Sequence, residues 1–253
     1  AFTGVLGLLS MISVIIFVQD IIKTERDPEK PVPEKKVDQS LGVPYFSSFL
    51  AIGVLTGFSI GLIIPIFTLH SIDAFGLTEG TIGFIFTISG TAALLVNYPA
   101  GRLSDRLQNR MSIVVIGIIF AGLGFIIVGF STSIVFVLLA FIFRSMAYQA
   151  YIPAYRAFQA DQIPHMIRGK TMGRIQSAFN VGAIFGPLVG SAIYEVVSND
   201  LITILVIDYD FYGGGIPFLI AGVFTISQVV FAIFILRREN VKKNLRSSEL
   251  LKQ

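Results

Sequence analysis

The chain has 253 residues, of which 54% are hydrophobic and only 14% charged, with a formal net charge of +3. Soluble domains carry nearer a quarter charged residues, so there is too little polar surface here to cover a water-soluble globule. With no cysteine, a disulfide framework, a thiolate metal site and a cysteine nucleophile are excluded.

A spanning helix needs about 20 apolar residues, because the hydrocarbon core is about 30 Å thick and a helix rises about 1.5 Å per residue. Apolar runs of that kind fall at 1–18, 45–70, 81–100, 111–130, 133–155, 172–195 and 215–236. The first, apolar from Ala1 with no basic stretch before it, reads as the end of a helix entered partway rather than as a signal peptide. The stretch 19–43 is charged and carries Pro28, Pro31 and Pro33. Proline lacks the amide donor and favours extended chain, so a solvated linker is expected. The block 44–237 then reads as a six-helix bundle and 238–253 as a basic tail. Between the last two spans, Leu201 to Ile207 is apolar but too short to cross, and its structure is left open.

All but Arg144 of the 19 Lys and Arg residues lie in every second break: Lys23 to Lys36, Arg102 to Arg110, Arg156 to Arg174, and Arg237 to Lys252. The other breaks hold Asp73 and Glu79, the Ser131-Thr132-Ser133 link, and Asp200, Asp208 and Asp210, with no basic residue. Basic residues are retained on the cytoplasmic side of a membrane. The pattern therefore predicts a multi-pass protein of the cytoplasmic membrane with the linker 19–43 and the C-terminus inside. Basic residues in short loops meet anionic lipid and fix orientation, so the positive balance does not point to nucleic acid.

Glycines recur at close-packing spacing. Gly53, Gly57 and Gly61 step by four with Pro65 next, and Gly182, Gly186 and Gly190 do the same around Pro187. In lipid, small residues let helix backbones approach and gain dispersion contacts. Pro187 cannot donate to the carbonyl of Ala183 and is expected to kink its helix. Pro65 and Pro187 also offer flexibility for gating.

Arg144 lies midway along the fifth span, the only charge deep in an apolar run. Burying an arginine there costs about 2.5–3.5 kcal/mol on insertion scales. No Asp or Glu lies at that depth, so its partner is a backbone carbonyl, a polar side chain, another part of the protein or an anionic substrate. Tyr148, Gln149 and Tyr151 cluster near it, and Asn97 and Asn180 are further intramembrane polar residues. Each could line a central cavity or form an interhelical hydrogen bond. His70, at the outer end of its span, reads as interfacial. No metal-ligand set, no paired carboxylates or Ser-His arrangement at depth and no phosphate-cradling loop appear, so neither enzymatic chemistry, a cofactor nor ATP hydrolysis is expected.

The break Gly101-Arg-Leu-Ser-Asp-Arg-Leu-Gln-Asn-Arg110 resembles the G-x-x-x-D-R-x-G-[RK]-[RK] loop of the major facilitator superfamily. Gly101, Asp105, Arg106 and Arg110 match; Gln108 and Asn109 depart from the pattern. On the residues alone, Gly101 permits a tight helix exit. Gly173, Gly182, Gly186-Pro187 and Gly190-Ser191 look like that superfamily's antiporter signature, placed in the equivalent helix of the second half. The resemblance implies an all-α membrane fold, with 44–237 as the C-terminal bundle and 1–18 as the end of the sixth helix. It further implies secondary transport of a small solute by alternating access, with a partner N-terminal six-helix half and a coupling proton or ion. The apolar composition leans toward efflux. The loop would latch one conformation, and Arg144 would be the second-half counterpart of an arginine in the fourth helix. A half-transporter working as a dimer, and a receptor or assembly protein that kept the fold, are the alternatives.

Overall fold

A computed structural model of the chain describes residues 42–106, 110–197, 201–204 and 209–250, without the side chains of Asp105, 201–212 and 242–250. The expected helix end 1–18 and nearly all of the linker 19–43 lie outside the described residues. Among those described, six helices are long and apolar enough to cross a membrane. They are α1 (Phe46–Phe75), α2 (Glu79–Arg106), α3 (Arg110–Phe130), α4 (Ile134–Gln162), α5 (Arg168–Val197) and α6 (Ile216–Leu250). Each contains most or all of one expected span, and all but α3 extend it appreciably. α6 continues from the membrane segment into what the sequence reads as the tail.

Helix ends follow local chemistry. α1 stops at Gly76, whose φ of 63° is the left-handed conformation that a residue without Cβ adopts freely, and whose amide bonds back to Ile72 O. α4 stops because Ile163 precedes Pro164 and is pushed to extended φ −104° and ψ 122°. The bared carbonyls of that end are not lost: Arg168 Nη2 donates to Ala160 O at 2.8 Å and to Ile163 O at 3.4 Å. Gly101, by contrast, is no helix exit. It sits inside α2, which runs on to Arg106.

The outer break before α6, left open by the sequence, contains a two-stranded antiparallel hairpin. β1 (Leu201–Ile204) pairs with β2 (Tyr209–Tyr212), Leu201 opposite Tyr212 and Ile204 opposite Tyr209.

Packing is pairwise. α1 lies along α5, α2 along α4, and α3 against both α4 and α6, whereas the sequence neighbours α1 and α2 barely touch. The α1–α5 seam is built by the two glycine ladders. A Cβ added at Gly186 would lie 2.6 Å from both Leu62 N and Phe58 O, and one at Gly61 would lie 2.8 Å from Ala183 O. The carbonyl that Pro187 leaves without its helical donor thus faces the Cα hydrogens of Gly61. At the two ends, Tyr194 donates to Asp73 Oδ2 at 2.7 Å between α5 and α1, and Tyr45 to Glu239 Oε1 at 2.9 Å beside α1 and on α6. Arg102 over Tyr98 and Arg238 over Phe234 form cation–π pairs at 4.5 and 4.4 Å. Such pairs suit the membrane–water boundary, where a ring sits at headgroup level.

Two apolar clusters fill the bundle. One, toward the α1 start, holds Phe49, Ile52, Ile118, Tyr155 and Phe158. The other, toward the α1 end, holds Leu62, Ile66, Phe67, Phe141 and Phe218. His70 belongs to the second region: it is 1% exposed and lies against Phe75 and Phe218. The residue read as interfacial from sequence is thus packed inside the bundle, one turn before α1 ends at Phe75.

Candidate functional site

Polar side chains separate the two clusters at mid-bundle. Thr56 and Ser59 come from α1, Arg144 and Ser145 from α4, and Thr225 and Gln228 from α6. Thr56, Ser59, Arg144, Thr225 and Gln228 line one small cleft. Thr56 Oγ1 lies 2.8 Å from Gln228 Oε1 and 2.7 Å from Ile52 O. Arg144 lies in the third turn of α4 (Ile134–Gln162), about 15 Å along the axis at about 1.5 Å per residue, roughly half of a hydrocarbon core about 30 Å thick.

A larger cavity of about 360 Å³ opens beside this layer, in the gap between the α1–α5 pair and the α2–α4 pair. α1 supplies Ile60, Ile63 and Phe67; α2 supplies Phe86, Ser89, Gly90 and Ala93; α3 supplies Phe125. α4 supplies Phe141, Arg144, Ser145, Tyr148 and Gln149. Toward the α1 end the cavity is closed by aromatic contacts: Phe67 stacks on Phe141 at 4.1 Å, and Phe86 meets both, at 5.3 and 5.5 Å.

Arg144 dominates the electrostatics. Its guanidinium carbon lies 4.7 Å from the Phe125 ring centre, 5.3 Å from Phe141 and 6.0 Å from Tyr148. Its hydrogen bonding among the described residues is one long contact, Nη2 to Ser145 Oγ at 3.5 Å. Nε is buried without an acceptor. Ring faces attract the cation but do not accept its in-plane N–H bonds. Room for the side chain comes from Gly124 on α3, where a Cβ would stand 2.6 Å from Arg144 Cβ.

Of the sequence-derived cavity residues, Arg144, Tyr148 and Gln149 are brought together on the cavity wall. Tyr151 is 2% exposed, packs edge-on to Tyr148 at 5.5 Å, and lines only the smaller clefts. Asn97 is half-buried on α2, away from the lining. Asn180 is exposed on α5 and belongs to a separate polar chain. Arg156 donates to Gln176 Oε1 at 2.9 Å, and Gln176 Nε2 to Asn180 Oδ1 at 3.3 Å. The loop residues lie elsewhere. Arg106 closes α2, the Asp105 side chain is outside those described, and Arg110 opens α3 and pairs with Asp161 at 2.8 Å. Gly182, Gly186, Pro187 and Gly190 lie in the α1–α5 seam, and Pro65 lies within α1. Gly173 does not join the seam: a Cβ there would meet nothing within 4 Å.

Sequence reasoning missed Phe67, Phe86, Phe125 and Phe141, the rings that make the cavity. It also missed the second glycine system, Gly117 and Gly124 toward α4, and Gly122 and Gly129 toward α6. The latter had a usable signal, a repeat of seven residues on each face.

The family profile described as Major Facilitator Superfamily matches residues 49–252. The chain is 27% identical over 205 residues to the staphyloferrin B transporter of Staphylococcus aureus, covering 75% of this chain and 49% of that protein. It is 26% identical over 226 residues to the proton-coupled antiporter flippase LtaA of Staphylococcus haemolyticus, covering 88% and 55%. Among solved structures, a bacterial homologue of the human lysosomal transporter Spinster, inward-facing and unoccupied, superposes with a TM-score of 0.62 at 19% identity. That match covers 76% of this chain and 43% of the other. The chain spans about half or less of the length of most of the curated relatives it matches.

Proposed function

The chain belongs to the major facilitator superfamily, and on that premise we propose that it supplies the six-helix C-terminal bundle of a secondary active transporter. The transporter moves a small solute by alternating access, without nucleotide, using a partner six-helix half and a coupling proton or ion. The observation that carries this reading is the Arg144 cavity at mid-bundle, between two apolar clusters and beside a gap in helix packing. Solute sites of such transporters lie near the bilayer midplane at the interface of repeats. The cavity candidates are Arg144, Tyr148 and Gln149, with Tyr151 behind them. Asn97 and Asn180 sit on α2 and α5, which bury little of themselves within the bundle, and would face the partner half. Gly101, Asp105 and Arg106, in the last turns of α2, and Arg110, which opens α3 and reaches α4 through Asp161, would form the conformational motif. Pro65 and Pro187 are sites of gating flexibility.

Charge sorting supports a cytoplasmic-membrane location with the basic breaks inside. The name of the LtaA relative, a proton-coupled antiporter, supports ion coupling, and export is the favoured direction.

Flux of radiolabelled amphipathic solutes into vesicles containing the full-length polypeptide, under an imposed pH gradient, tests the reading. Arg144→Ala should abolish flux, and Asp105→Ala should slow turnover with little change in half-saturation. Unchanged flux in both variants would sink these site assignments, and no gradient-driven flux of any solute would favour a receptor or assembly role. In the same vesicles, Met166→Cys, at a position 99% exposed between α4 and α5, and Thr132→Cys should react with an impermeant thiol reagent from opposite faces. Labelling of both from one face would refute the orientation.

A further inference from the structure

We infer that the mid-bundle cavity binds an anionic amphiphile, with a carboxylate-, phosphate- or sulfonate-type head on Arg144 and an apolar body against Phe67, Phe86 and Phe141. The inference rests on the transport reading for its purpose, but it is argued from the cavity itself.

The lining holds one full charge, Arg144, and no Asp, Glu, Lys or His. A guanidinium carries five N–H donors. Here the rings of Phe125, Phe141 and Tyr148 occupy its surroundings, one donor reaches Ser145 at 3.5 Å, and Nε has no acceptor. Aromatic ring faces attract the cation but accept none of its N–H bonds, which run outward in the guanidinium plane. The cation thus lacks an anionic acceptor among the described residues, and a bidentate oxyanion in the cavity would supply one. Ser89, Ser145 and Gln149 add neutral polar groups around the same space.

The rest of the wall sets the body of the ligand. A cavity of about 360 Å³ is at the small end of the ligand-site range, roughly 300–1,000 Å³. Its other walls are mainly aromatic and aliphatic, so a small polar anion would leave most of that apolar surface uncovered. Selectivity follows from what mismatched solutes would pay. A cationic amphiphile meets like charge in a low-dielectric site, and a neutral one offers the guanidinium at most an uncharged acceptor in place of a bidentate anionic one.

Equilibrium binding to the purified full-length protein tests this without any gradient. The probe is a fluorescent naphthyl-alkyl carboxylate, set against its neutral primary amide and a matching trimethylammonium compound. The carboxylate should bind at least about tenfold more tightly than the amide, as expected for a charge-assisted hydrogen bond, and the ammonium compound should bind most weakly. Arg144→Gln should erase the carboxylate preference while leaving amide affinity within about twofold, which also shows that the variant is folded; Arg144→Lys should keep part of the preference. Phe141→Leu should weaken carboxylate and amide alike. Equal affinity of carboxylate and amide in the wild type would overturn the inference, showing that an acid elsewhere in the polypeptide already holds Arg144. Carboxylate binding that survives Arg144→Gln would overturn it as well. Repeating the titration in discs of phosphatidylcholine with and without phosphatidylglycerol separates the two sources of such an anion. Competition by phosphatidylglycerol identifies a lipid head, and its absence an amphiphile from solution. Carboxylate selectivity without flux would remove the transport reading alone, and flux confined to neutral or cationic solutes would remove this inference alone.

Discussion

Thr56 shows how finely a single hydroxyl is placed. Its one proton is shared between the Ile52 carbonyl and the Gln228 amide oxygen, at 2.7 and 2.8 Å, and Gln228 is 1% exposed. Thr56→Val keeps the shape and removes the polar contact, leaving Gln228 without that partner. Interhelical hydrogen bonds in membranes average about 0.6 kcal/mol and reach about 1.7; burial of both groups argues for about 1 kcal/mol here. Reversible unfolding in mixed micelles should show that loss, with Thr56→Ser near wild type. A loss below roughly a third of it would mean that Gln228 finds another partner. Arg144 was legible in the sequence because a lone charge in an apolar run contrasts with everything around it. Its rings were not. Among 23 Phe residues, nothing local marks Phe125 and Phe141 as neighbours of Arg144, because the contact is set by how α3 lies on α4. For the same reason Asn97 and Asn180 stood out while Ser89, Gly90 and Ala93, which α2 turns into the cavity, resembled ordinary packing residues.

Helix seams follow from glycine spacing, but spacing must be joined to a facing partner. Gly186 is crowded by backbone atoms of α1, which cannot swing aside as a side chain would, whereas Gly173 faces open space. Gly186→Ala should therefore cost about 1–3 kcal/mol, the range for overpacking a filled interface. Gly173→Ala should be neutral or stabilising by up to about 1 kcal/mol, because alanine is the better helix former. Thermal unfolding of the two variants side by side checks this, and equal midpoints would refute the seam. The four-residue ladders in α1 and α5 were readable as close packing from sequence. Those of α3 were less legible, because they repeat every seven residues, two turns apart, in two stripes interleaved on different faces, one of them facing Gly222 of α6 and the Gly215 just before it. Helix ends were legible where proline or glycine forces the backbone, as at Ile163-Pro164 and Gly76. The helical course through Gly101 was not, since glycine permits an exit without requiring one.

At the scale of the molecule, the alternation of apolar runs with basic and non-basic breaks gave six spans in the right places, because bilayer thickness dictates helix length. The hairpin before α6 escaped it, since short extended pairing outside the bilayer leaves no comparable constraint on sequence. Pairwise packing escaped it too, and that packing has a mechanical result. α1 carries one wall of the cavity, and its backbone meets that of α5 with glycine at each contact, so no soft layer of side chains lies between them. Such direct backbone contact would carry a displacement of that wall toward the far side of α5, whose Ile184, Leu188 and Val196 are exposed. α2 meets α1 mainly through side chains such as Phe86 on Phe67, so it would receive less of that displacement. On the proposed transport reading, the pair would act as a lever with its load arm at the Arg144 cavity. Spin labels at Leu69 on α1 and Val196 on α5 should hold a fixed separation when a transported solute is added to the full-length protein, while Leu69 and Phe84 on α2 change theirs. If the first distance shifts as much as the second, the lever bends, and motion at the site is spent within the bundle instead of being delivered to its surface.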